Sequence, residues 1–120
     1  MWLDLARDSR KAASELVLSG RFRSAVARAY FAAYSRVSDE LVRAGVTMPS
    51  GREGPSHTRL KPMVERNLTC LKLDKRIWLS RAIGRLYALR LYADYQPSIT
   101  VDAREAKEAI SLMKKVFDAF

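Results

Sequence analysis

Few side chains in this chain can carry chemistry. His57 is the sole histidine, so any proton transfer through an imidazole must use it. It follows a Gly/Pro-rich stretch and stands near the expected start of a short helix, where capping that helix start is the competing reading. Arg90 and Asp94 are one helical turn apart in Arg90-Leu91-Tyr92-Ala93-Asp94-Tyr95. Exposed, such a pair contributes only about 0.3–0.5 kcal/mol. Half buried, the guanidinium can orient a phosphate while the carboxylate fixes the geometry of its fork. Tyr95 ends the segment, either as a hydroxyl donor or as an anchor for the helix terminus. Arg81 and Arg85 are again one turn apart, and read either as a patch for a phosphate backbone or as solvated charge. One histidine and one cysteine, Cys70, cannot build a zinc shell, and no glycine motif for phosphate is present. No metal and no cofactor are expected.

The element that must hold Arg90 and Asp94 is a long helix from about Lys72 to Tyr95, apolar on two faces. Leu79, Ala82, Leu86, Leu89 and Ala93 form one stripe at alternating steps of three and four. Leu73, Ile77, Ser80, Gly84, Tyr87, Leu91 and Tyr95 form a second, offset around the cylinder. A surface helix needs only one such stripe. Two imply two packing layers: the rest of the domain and, most simply, another subunit. Ile77, Gly84, Tyr87 and Leu91 are therefore the expected dimer contacts, and Arg90 and Asp94 fall in the seam between the stripes. A mid-helix glycine costs about 1 kcal/mol relative to alanine, so Gly84 marks either a close second backbone or packing by a neighbouring short helix.

The remaining pattern is helical as well. The first helix is expected over about Asp4 to Leu18, stopped by Ser19-Gly20, and the second over Phe22 to Ala44, stopped by Gly45. Residues 45 to 56 read as a loop. A short helix then begins either near His57 or near Lys61 and reaches about Asn67, with Pro62 tolerated in a first turn. Asp102 and Glu105 make a capping box for the last helix. The architecture expected is all-α: an up-and-down four-helix bundle with a short extra helix, in a single domain over residues 1–120. A surplus of 22 Lys and Arg over 13 Asp and Glu, a net charge of +9, favours an anionic partner such as nucleic acid. No run of apolar residues is long enough to span a membrane, no signal peptide opens the chain, and one cysteine suits a reducing cytoplasm.

The segment Arg21-Phe22-Arg23-Ser24-Ala25-Val26-Ala27-Arg28-Ala29-Tyr30-Phe31-Ala32-Ala33-Tyr34, His57 after its loop, and the Arg90–Tyr95 segment together resemble the HEPN superfamily over essentially the whole chain. The nearest resemblance is to its small stand-alone members with an Arg-x-x-Ala-Asp-Tyr helix end. The resemblance implies a helical bundle that forms a homodimer, with active sites meeting across the interface. It also implies metal-independent ribonuclease activity in toxin–antitoxin or phage-defence systems, or pairing with a minimal nucleotidyltransferase antitoxin that modifies a tyrosine. The family's ribonuclease signature is an Arg followed after four to six residues by a helical His. Arg90 matches the Arg, and Tyr95 stands where the His would be. Arg52 and His57 satisfy the spacing, but in the loop.

The expected function is thus action on RNA. Arg90 would bind the scissile phosphate and Asp94 would orient it, while His57 or Tyr95 moves protons. Arg52, Arg81 and Arg85 would contact the RNA. The alternative is a non-catalytic interaction or RNA-binding module.

Overall fold

The computed structural model describes residues 1–48 and 54–120. Arg52, expected to contact RNA, lies outside the described residues. Among the described residues five helices account for the regular structure: α1 (Trp2–Leu18), α2 (Phe22–Arg43), α3 (Leu60–Asn67), α4 (Leu73–Tyr95) and α5 (Ala103–Asp118). The fold is all-α, with four long helices and the short α3 in the second connection. No helix is long and apolar enough to cross a membrane among the described residues.

The stops between helices follow from two glycines. Gly20 (φ 74°) donates to the Val17 carbonyl while Arg21 donates back to Leu16. Gly45 (φ 82°) repeats the arrangement, with Gly45 donating to Val42 and Val46 to Leu41. In both, a left-handed residue that glycine alone adopts without strain satisfies the last carbonyls of the helix. α3 starts at Leu60, so Pro62 falls within its first turn, where a missing N–H breaks no helical bond. The Asp102–Glu105 capping box forms at the start of α5.

α2 is the central helix and touches the other four. Ala25, Ala29, Ala32 and Ala33 are all buried, and their small side chains let the neighbouring helices approach closely. The first stripe of α4 lies wholly in this core. The middle of its second stripe is covered by the chain itself. Ser80 is buried and donates to Glu65 of α3 (2.7 Å). A Cβ on Gly84 would lie 3.3 Å from Cδ of Lys61, also on α3. The neighbour at Gly84 within the chain is therefore the short helix. Beyond this cover the stripe emerges: Leu73 at its start and Tyr95 at its end are exposed, while Ile77, Tyr87 and Leu91 are half-buried.

Candidate functional site

Tyr30 is the hub that joins the sequence-predicted residues. It lies on the inward face of α2 and is only 2% exposed. Its hydroxyl lies 2.5 Å from Nδ1 of His57, in the segment just before α3. The His57 ring is nearly parallel to that of Tyr87 on α4, with centroids 5.6 Å apart and planes 9° apart. Tyr34, one turn along α2 from Tyr30, lies 4.9 Å from the same imidazole. His57 is thus held by three aromatic side chains from two helices while the residue itself remains exposed.

Arg90 reaches the same tyrosine from α4. Its guanidinium carbon is 6.0 Å from the Tyr30 ring centroid and 5.5 Å from that of Tyr95, so the cation lies between two aromatic rings. Nε of Arg90 donates to Oδ2 of Asp94 at 3.0 Å, with the two side chains 25% and 34% exposed. This is the half-buried setting in which the carboxylate fixes the guanidinium's orientation. Tyr95 is 64% exposed. The four residues proposed for chemistry are therefore linked within one chain: Arg90 contacts Asp94, Tyr95 and Tyr30, and Tyr30 contacts His57.

Burial, and the Tyr34 and Tyr87 phenols, raise the Tyr30 hydroxyl well above its ordinary value, and the Arg90 cation offsets this only in part. Tyr30 therefore stays protonated. The phenol and Nδ1 of His57 share one hydrogen bond, and the imidazole tautomer decides which of them donates. With the proton on Nδ1 the phenol oxygen accepts and Nε2 keeps a lone pair for proton uptake; with it on Nε2 the phenol donates and the neutral ring has no lone pair to spare.

α4 is held in register by Arg23, seven residues before Tyr30 on α2. Its guanidinium donates to five main-chain carbonyls at the end of α4 and just beyond: Tyr92 and Ala93 at 3.0 Å, Gln96 and Pro97 at 3.4 Å, and Ile99. One cation gathers the carbonyls of this helix end, of which those of Tyr92 and Gln96 also accept main-chain N–H groups, and it complements the negative end of the helix dipole. The Arg90–Tyr95 turn is fixed relative to α2 by this clasp.

Other expected residues lie elsewhere. Arg85 makes a bidentate pair with Glu108 of α5 (2.6 and 3.0 Å), and Arg81 is exposed. Neither joins the Tyr30 cluster. Glu108 also raises the Arg85 guanidinium, mainly through that hydrogen bond. Among the described residues no cluster of side chains could hold a metal ion. Sequence reasoning placed Tyr87 in an interface, quoted Tyr30 within the segment that resembles the family, and missed the role of Arg23. The available signal was the pair of tyrosines at one-turn spacing, since a buried phenol demands a polar partner.

No match was found among curated proteins or among solved structures. The family model for the HEPN domain matches residues 1–120, and the chain belongs to that family.

Proposed function

We propose that this HEPN protein cleaves RNA without a metal, as a homodimeric toxin or defence effector in the cytoplasm, with the Tyr30 cluster as its active site. The observation that carries the reading is the convergence of Arg90 and His57 on one buried tyrosine, although they are far apart in sequence. Arg90, oriented by Asp94, binds a non-bridging oxygen of the scissile phosphate and stabilises the charge that builds there. Nε2 of His57, in the tautomer whose Nδ1–H donates to the Tyr30 oxygen, accepts the proton of the ribose 2′-hydroxyl, whose oxygen attacks phosphorus. The bond to the 5′-oxygen breaks, and that oxygen takes a proton from the exposed Tyr95 hydroxyl. The products are a 2′,3′-cyclic phosphate and a 5′-hydroxyl. The nucleophile is internal to the substrate, so positioning and proton transfer suffice.

Incubation of the purified protein with total RNA in EDTA tests this. Cleavage to cyclic phosphate ends is expected, with a loss of about 10²–10⁴ in His57→Ala and Arg90→Ala. Intact RNA at high protein concentration, or unchanged cleavage by Arg90→Ala, refutes it. A second reading is favoured by Tyr95 at the helix end, where the ribonuclease signature has His: a non-catalytic module paired with a minimal nucleotidyltransferase. Co-purification with such an enzyme, with RNA left intact, would establish that reading instead.

A further inference from the structure

α1 and α5 lie side by side but touch sparsely, leaving an open trough along their junction. Its two compartments, of about 610 and 550 Å³, meet at Ser14 and Leu18. The α1 wall carries Arg7, Arg10 and Lys11, and the α5 wall carries Lys107, Lys114 and Lys115. These positions recur at helical steps, which aligns each set along one side of its helix. At 1.5 Å per residue, the α1 wall from Leu3 to Leu18 runs about 22 Å.

Among the described residues none of these six cations makes an ion pair, whereas Arg36, Arg43, Arg85 and Arg90 all do. The trough's own carboxylates, Glu15 and Asp118, are outnumbered three to one by the unpaired cations. Arg10 lies 4.7 Å over the Phe117 ring, which holds its planar group against α5. Val17, Leu18 and Ile110 give the floor an apolar part, and Ser14 and Ser111 add hydroxyls.

We infer that this trough binds the backbone of a single-stranded polynucleotide, with the six cations as phosphate contacts on its two walls. A polymer with one charge per repeat can meet cations spread over the trough's whole length at once. The α1 cations line one compartment and the α5 cations the next, so one strand laid along the open trough meets both sets in succession, and base faces can lie on its apolar part and on the Arg10 plane. The surface is separate from the Tyr30 cluster, sharing no residue with it.

The test is fluorescence anisotropy of labelled 20-mer oligouridylate and oligodeoxythymidylate across a salt series. For single strands the slope of log affinity against log salt is about −0.7 per phosphate contacted, so six contacts give about −4. The triple variant Lys107→Gln/Lys114→Gln/Lys115→Gln is expected to bring the slope to about −2 and to weaken binding about tenfold or more at low salt. Arg7→Gln/Lys11→Gln, on the opposite wall, should act in the same direction and guards against misfolding of the first variant. Equal binding of the two oligomers marks the phosphodiester backbone as the ligand, and preference for the ribose strand adds the 2′-hydroxyl. Unchanged slopes in both variants overturn the inference. So does competition by polyglutamate as strong as by the oligomers, which would assign the trough to an acidic protein segment. Oligodeoxythymidylate has no 2′-hydroxyl and cannot be cleaved by the proposed route, so its binding reads the trough whether or not the ribonuclease reading holds, and the two failures are distinguishable.

Discussion

Tyr30→Phe removes one oxygen from the centre of the site and little else. The ring keeps its packing against Tyr34 and Tyr87, and the atom left behind, Nδ1 of His57, belongs to an exposed residue that can turn to water. One bond to a partly solvated partner is lost, so stability should fall by about 0.5–1.5 kcal/mol, at the scale of one ordinary hydrogen bond. For a chain of this size, each kcal/mol corresponds to about 3–6 °C in Tm. The imidazole still has the Tyr87 and Tyr34 rings beside it, so it remains in place but loses its fixed proton assignment. Cleavage should slow about fivefold to tenfold, which is about 1 kcal/mol of barrier, far less than for His57→Ala. Nitrogen NMR reports the tautomer directly, and with one histidine the resonances need no assignment. For His57 to act as the base, the wild type should carry its neutral-state proton on Nδ1, donating to the Tyr30 oxygen. A wild-type proton on Nε2 would refute that role. So would a Tyr30→Phe variant that cleaves at the full rate although His57→Ala does not.

Further outcomes follow from the same contacts. Gly84→Ala should raise stability by up to about 1 kcal/mol in chemical denaturation, because the new Cβ meets the flexible end of Lys61 and helix propensity gains. Leu91→Arg, at a half-buried position of the second stripe, tests the homodimer separately: light scattering should show monomers, and an unchanged assembly would refute that interface. Arg23→Ala should cost about 2 kcal/mol, the scale of hydrogen bonds from a charged group. Hydrogen exchange should then speed up in the last turn of α4 before it does so in α2. On the acid side, hydrogen bonds from Arg85 and around Glu105 hold the Glu108 and Asp102 carboxyls below their ordinary values. Their contribution is complete above the ordinary carboxylate range and is lost as pH falls through the lowered values, below about 4. Urea midpoints from pH 2 to 6 should show this loss, and Glu108→Gln should make it shallower.

Much of the architecture was legible because local rules act within a few residues. Gly20, Gly45 and the Asp102–Glu105 box mark helix ends by their own chemistry, and the ends they mark agree with the structure to within a residue or two. The short helix was less definite, since Pro62 is compatible with more than one start and tertiary packing at Leu60 decides. The second stripe of α4 correctly announces a second layer, but periodicity carries no information on which segment supplies it. Over Ser80 and Gly84 that segment is α3. The cluster was legible only in part. Arg90 and Asp94 declare themselves by spacing, whereas Tyr30, at an apolar register position, looks like core until His57 and Arg90 are brought to it from elsewhere in the chain.

The Arg23 clasp recognises backbone oxygens, not side chains. Evolution can therefore rewrite the identities of residues 96 to 99 with little penalty, provided their number is conserved. Deleting or inserting a single residue there would shift the carbonyls away from the guanidinium, and α5 would leave α4 along a different path. Length is the heritable constraint at this corner, and spelling is comparatively free.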